Sequence, residues 1–158
     1  MISIKRHSGI YTLTSLQQLP IIMDKAWAFF SAPDNLAKMT PDYMSFVVTS
    51  GHTSKMYEGQ IISYRIGILP GIKTNWVTEI THFKEHKYFV DEQRFGPYKM
   101  WHHEHFFEEN EAGVLMTDKV SYKIPFGIFG RLANLIFIEK ELLNIFTFRF
   151  NKMNEIFS

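Results

Sequence analysis

At 158 residues the chain suits a single domain, 1–158, large enough to bury roughly 70% of its unfolded surface without covalent staples. The absence of cysteine excludes a disulfide scaffold, thiolate metal sites and a cysteine nucleophile. Seventeen basic against sixteen acidic side chains leave a net charge of +1, so no global field draws the protein to nucleic acid or to an anionic membrane, and the expected partners are small or uncharged. Fifteen Phe, seven Tyr, three Trp and eight Met supply bulky, adaptable apolar surface that suits a thick core or an apolar pocket.

Lys5, Arg6 and His7 near the N-terminus are followed by the alternating stretch Tyr11 to Leu19, not by the continuous apolar run of an export signal. Ile10 to Leu19 reads as a strand closed by Pro20. Asp24 is placed to cap a short helix running to Ser31, and Pro33 with Asp34 opens a second that ends before Thr40-Pro41. From Phe46 the period becomes two, which predicts strands over Phe46–Thr49, Gln60–Ile68, Lys73–Phe83, Tyr88–Phe95, Lys99–Glu108 and Val114–Ile124. Gly51, Gly59, Pro70-Gly71, Lys84 to Lys87, Gly96-Pro97 and Asn110 to Gly113 separate them at hairpin distances, which forces antiparallel pairing.

After Pro125-Phe126-Gly127 the period lengthens again. Phe129, Leu132, Leu135, Ile136, Leu142 or Leu143, Phe146, Phe150, Met153 and Phe157 recur at three and four, predicting a helix of about 28 residues and about 42 Å with that stripe turned to the sheet. Arg131, Asn134, Glu139, Lys140, Glu141 and Arg149 interrupt the segment, so it does not read as a lipid-facing span, and a soluble, cytoplasmic protein is expected. The order defines an α+β fold: a seven-stranded antiparallel sheet, curled by its own twist around one long C-terminal helix, with two short helices after the first strand. A cavity between sheet and helix follows from that geometry, and small ligands occupy such cavities.

Ala26-Trp27-Ala28-Phe29-Phe30, Thr40-Pro41, Phe89-Val90-Asp91-Glu92-Gln93 with Gly96-Pro97, Trp101-His102-His103-Glu104-His105, and Tyr122 with Pro125-Phe126-Gly127 together resemble the SRPBCC superfamily (START, Bet v 1 and polyketide cyclase-like proteins) over nearly the whole chain. Within it the chain is most similar to small bacterial ligand-binding or cyclase/dehydrase-like members. The resemblance implies a helix-grip fold but no single reaction, because that fold hosts carriers, receptors and cyclases alike.

Strand parity assigns the inward faces. On the His-rich strand Trp101, His103, His105 and Phe107 turn in; on the next, Val114, Met116, Asp118, Val120, Tyr122 and Ile124 do so. Phe89, Asp91, Gln93 and Phe95 join them, and Ile62, Tyr64, Ile66, Trp76, Thr78 and Ile80 complete the wall. Two carboxylates beside two imidazoles in apolar surroundings suit general acid/base work, as in an aldol-type cyclisation or dehydration. The same four residues also suit a closed buried network that holds the sheet in register, which is the commoner use of such groups. His103 and His105 with Asp118 or Asp91 have ligand types that suit a metal, yet His-x-His spacing on a strand is weak support, and neither metal nor cofactor is expected. His102 and Glu104 read as a solvated cross-strand pair.

No glycine-rich phosphate loop or Gly-x-Ser-x-Gly elbow is present. Phe126-Gly127-Ile128-Phe129-Gly130 reads as a tightly packed turn or a cavity mouth. Phe137, Ile138, Ile145 and Phe148 fall off the apolar stripe, so either the sheet wraps far enough to cover them or they mark an entrance or the face of a homodimer. The leading expectation is a module that binds a small hydrophobic molecule through Tyr64, Trp76, Asp91, Gln93, Trp101, His103, His105, Asp118 and Tyr122. The alternatives are a cyclase/dehydratase-like enzyme using Asp91, His103, His105 and Asp118 as acid and base, and a regulatory protein acting through the helix.

Overall fold

The computed structural model describes residues 1–53, 55–69 and 72–158, with no side chains given for Ile68 and Leu69. Eight strands form one antiparallel sheet: β1 (Ile2–His7), β2 (Ile10–Leu19), β3 (Val47–Ser50), β4 (Ile61–Leu69), β5 (Ile72–Lys84), β6 (Tyr88–Phe95), β7 (Met100–Asn110) and β8 (Gly113–Lys123). Their spatial order is β1-β2-β8-β7-β6-β5-β4-β3, so the chain crosses once from β2 to the far edge and returns by consecutive hairpins. The expected Pro70-Gly71 turn lies outside the described residues.

The strand beyond the expected seven is β1. It pairs with β2 from Ile2↔Ser15 to His7↔Ile10 through the two-residue turn Ser8-Gly9, both at positive φ (49° and 77°). That is the backbone a primed hairpin turn demands, and glycine supplies one of its two positions without steric cost. Lys5, Arg6 and His7 had masked the strand, because an edge strand with charged side chains carries little apolar alternation.

Between β2 and β3 the chain makes α1 (Met23–Phe30) and two 3-10 turns, Pro33–Met39 and Asp42–Met44. Asp24 is not the cap: Ile22 holds that position without a side-chain bond, and Asp24 sits in the first turn, where negative charge favours the helix dipole. Ala26, Trp27 and Phe30 of α1 are buried, with Trp27 edge-on to Phe107 at 5.5 Å and Phe30 packed on Phe157. One end of the sheet is thereby plugged, leaving the concave face open towards the other.

The C-terminal helix runs as α2 (Gly127–Ala133), a π turn (Asn134–Ile138) and α3 (Glu139–Phe157). In α3, Leu142, Phe146, Met153 and Phe157 are buried as the stripe predicts. Phe129, Leu132, Leu135 and Ile136, expected on that stripe, are exposed instead, and only Gly130 and Asn134 are buried in the preceding two segments. Two causes act together. A Cβ at Gly130 would strike the carbonyl oxygen of Pro125, so α2 is seated backbone-on-backbone there with its side chains turned away. The π turn then takes up one residue more than an α turn, so the eight-residue step from Asn134 to Leu142 closes on one face. Gln17 fixes α3 to the sheet by donating to the Phe150 carbonyl at 2.8 Å and to Asn154 Oδ1 at 2.8 Å. The result is the helix-grip architecture, with eight strands rather than seven. No helix among the described residues is long and apolar enough to cross a membrane.

Candidate functional site

A cavity of about 660 Å³ lies between the concave face and the C-terminal helix. Its walls are mainly apolar: Met39, Met44, Met56, Ile62, Ile66 and Ile80 on one side, Leu142, Ile145 and Phe146 on the other, with Phe126, Phe129 and Phe137 around the mouth. Tyr64 and Trp76, cross-strand partners with stacked rings 5.9 Å apart, continue into Trp101, edge-on to Trp76 at 5.2 Å. These aromatics form a broad slab along the sheet side.

The parity assignments largely hold, and Tyr64, Trp76, Asp91, Trp101, His103 and His105 all face the cavity. Three expected ligand-binding residues do not. Gln93 spends its amide on the backbone, donating to the Tyr98 carbonyl at 2.7 Å and accepting from the Tyr98 N–H at 3.1 Å, which closes the turn between β6 and β7. Tyr122 lies in a neighbouring core cluster, stacked on Tyr11 at 5.3 Å and donating its hydroxyl to Asn134 Oδ1 at 3.2 Å. Asp118 sits behind the two imidazoles and reaches the cavity only through them. Phe95, assigned inward, is 63% exposed because the register steps from Thr78↔Gln93 to Val77↔Phe95, and the bulge at Arg94 turns Phe95 to the outer face.

Asp91, His103, His105 and Asp118 form a closed square. His103 Nε2 lies 3.1 Å from Asp118 Oδ1 and its Nδ1 lies 3.5 Å from Asp91 Oδ2; His105 Nε2 lies 3.0 Å from Asp91 Oδ2 and its Nδ1 lies 2.8 Å from Asp118 Oδ1. The last contact is close but off the N–H direction, so it is an ionic contact rather than a hydrogen bond. Thr78 Oγ1 adds a bond to Asp91 Oδ1 at 3.2 Å. Register explains the assembly: Asp91 pairs with His103 across β6 and β7, and His105 with Asp118 across β7 and β8.

Burial by itself favours the neutral form of every member. For Asp91 the imidazoles of His103 and His105 and the Thr78 hydroxyl outweigh it and hold the carboxyl below its ordinary range; for Asp118 the two imidazoles do so more strongly. His103 is pushed down by burial and by the charge on His105, whereas at His105 the contacts with the Asp118 and Asp91 carboxylates overcome burial and push it up. These directions favour ionised carboxylates and place protonation at His105 in preference to His103. Of the His103 ring nitrogens, Nε2 lies nearer a carboxylate, 3.1 Å from Asp118 against 3.5 Å from Nδ1 to Asp91.

One ligand atom each from Asp91, His103 and His105 lies within 4.8 Å of the others. The two rings lie with centroids 3.7 Å apart and planes tilted by 38°. The ligand types are those that hold a metal, and the same atoms are engaged in the contacts of the square. On the outer face, His102 lies 2.7 Å from Glu92 and 4.0 Å from Glu104, and Glu104 lies 2.9 Å from Lys119, so the expected pair is one contact in a chain of cross-strand charges.

Sequence reasoning missed Arg149. It lies in α3 and faces the cavity, with its guanidinium 4.9 Å from the centre of the Phe146 ring and its Nε buried without a hydrogen-bond partner. The available signal was its place as the one cation in the apolar run from Leu142 to Phe150.

No family model and no curated protein matches the chain. Among solved structures it is similar to protein Ms6760 from Mycobacterium smegmatis, at 15% identity and a TM-score of 0.68 over 99% of this chain and 97% of that one. It is also similar to a Rhodobacter sphaeroides protein, at 11% identity and a TM-score of 0.72 over 99% and 97% of the two chains. A third likeness is to major latex-like protein 151 from ginseng, Panax ginseng, at 12% identity and a TM-score of 0.67 over 94% and 98%. At such identities the likeness is one of fold, and it agrees with the helix-grip fold that the resemblance implied.

Proposed function

We propose that this protein binds a small hydrophobic molecule in the cavity under its C-terminal helix and holds it without transforming it. The observation that carries the reading is the cavity itself. A space of about 660 Å³ is in the range of ligand pockets, and its wall is apolar and aromatic with few polar groups. Burying a ligand against such a wall contributes about 25 cal/mol per Å² of apolar area, before the cost of immobilising it. The Asp–His square supports holding over turnover, because its imidazoles and carboxylates are paired with one another, each ring nitrogen lying within 3.5 Å of a carboxylate.

The test compares native with denaturing mass spectra of protein purified without added ligand, then titrates apolar compounds against the fluorescence of Trp76 and Trp101. A mass that departs on denaturation, or saturable binding weakened at least tenfold by Trp76→Ala, is the expected result. No retained mass and no saturable binding of any apolar compound would overturn the reading. Turnover lost on Asp118→Asn with binding intact would replace it with a cyclase/dehydratase-like enzyme.

A further inference from the structure

Three hydrogen-bond donors in the cavity wall are unsatisfied by the protein. Trp76 is 6% exposed and its indole N–H has no partner. Arg149 has its Nε buried without a partner, and among the described residues no carboxylate lies within ion-pair distance of it. The Tyr64 hydroxyl makes no hydrogen bond among the described residues, and Asp91 and Arg149 act on it in opposite senses. The three line one cavity. Tyr64 and Trp76 are stacked cross-strand neighbours, and Ile145, one helical turn before Arg149, packs on the cluster that contains them both.

A buried donor normally has a partner, and an unpaired guanidinium beside apolar walls is the most expensive kind to leave unmet. Asp91 and Glu141 are the carboxylates in the wall, and each is already engaged, Asp91 with His105 and Thr78 and Glu141 with the Tyr43 hydroxyl. The missing partner is therefore an acceptor brought by the ligand, and it bears negative charge. A carboxylate matches the planar fork of arginine and leaves lone pairs for an indole N–H and a phenol. Most of the remaining wall offers apolar contact to whatever the carboxylate is attached to.

Resting on the reading of the cavity as a ligand site, we propose that its ligand is an apolar monocarboxylate, a fatty or aryl-alkyl acid, whose carboxylate is received by Arg149 with Trp76 and Tyr64. The apolar body then lies along the Met and Ile wall under Phe146.

Dodecanoate and dodecanol, which differ only at the head, are titrated against the wild type, Arg149→Met and Arg149→Lys. The wild type is expected to bind the acid at least tenfold more tightly than the alcohol, since a charge-assisted bond in such a site is worth about 1.5–3 kcal/mol, or roughly 10- to 150-fold. Arg149→Met keeps the apolar stem over Phe146. It is expected to lower affinity for the acid 10- to 100-fold and for the alcohol less than threefold, so that alcohol binding shows the variant's cavity to be intact. Arg149→Lys should restore part of the preference through charge alone. Equal affinities for acid and alcohol in the wild type, or an unchanged preference in Arg149→Met, would overturn the inference while leaving the cavity reading in place. Failure of the wild type to bind either compound would overturn the inference, and the cavity reading falls with it only where no other apolar compound binds.

Discussion

Replacing Asp118 with Asn changes one atom's identity and removes one charge from the centre of the square. Asp118 is 6% exposed, and its Oδ1 lies 3.1 Å from His103 Nε2 and 2.8 Å from Nδ1 of His105, the ring whose pKa is raised. The amide can keep the first contact by presenting its oxygen to His103, but it cannot replace the second, and His105 is left with Asp91 as its sole counter-charge. Breaking a buried ion pair from one side costs about 3–5 kcal/mol. Crediting the amide with about 1 kcal/mol for the retained hydrogen bond leaves about 2–4 kcal/mol. For a chain of this size each kcal/mol moves the midpoint by about 2–4 °C, so a fall of roughly 4–16 °C is expected by circular dichroism at pH 7. A double-mutant cycle with His105→Gln should give a coupling of about 1–3 kcal/mol, because the two groups touch. An unchanged melting temperature, or strict additivity in the cycle, would refute the account of the square as an ionic network that stabilises the sheet.

The square also sets a pH profile. His105 has its folded pKa raised, so its contribution is fully present below the unfolded value near 6.5 and is lost as pH rises through the folded one; urea midpoints should fall on that alkaline limb and His105→Gln should flatten it. The lowered pKa values of Asp91 and Asp118 act at the other end, giving stability present above about pH 4 and lost as pH falls through their folded values, so acid unfolding of Asp118→Asn should be shallower than that of the wild type. Burial predicts opposite outcomes along the helix: Leu142→Ala should cost about 2–4 kcal/mol, whereas Leu135→Ser, at a position 66% exposed, should stay within about 0.5 kcal/mol by chemical denaturation. Gly130→Ala places a methyl against the Pro125 carbonyl and should cost at least about 1 kcal/mol despite alanine's better helix propensity, a sign that thermal melts read directly.

The sheet was legible because its strands carry their faces in a two-residue period. Phe107, Met116, Val120, Trp76 and Ile80 are buried where parity placed them. Parity failed where the backbone adds a residue, since a bulge has no signature in side-chain type: Arg94 reads as an ordinary strand residue, yet it turns Phe95 outward. The helix misled for a related reason. Phe129, Leu132, Leu135 and Ile136 continue a regular stripe in sequence, but a close contact at Gly130 and a π turn at Asn134 rotate the chain beneath them. Periodicity records which residues are apolar, and an apolar helix segment at a cavity mouth is as rich in them as one pressed on a core.

The candidate site divides along the same line. His103, His105, Asp91 and Asp118 were found together because all four lie on neighbouring strands, where register converts sequence spacing into distance. Gln93 belonged to the same face but went to the backbone of Tyr98, a use that depends on the turn after β6 and not on the strand. Arg149 required the converse step. In sequence it is one charge on a long helix, and a solvated arginine is the default for such a position. Only the placement of α3 against the sheet brings that side chain to the cavity that Tyr64 also lines. Residues fixed by hydrogen-bonded register are thus recoverable from spacing, whereas a residue that reaches the site from a second layer depends on how the layers dock. In this fold the second layer carries the unpaired charge, so the part of the site that discriminates among ligands is the part that sequence spacing left hidden.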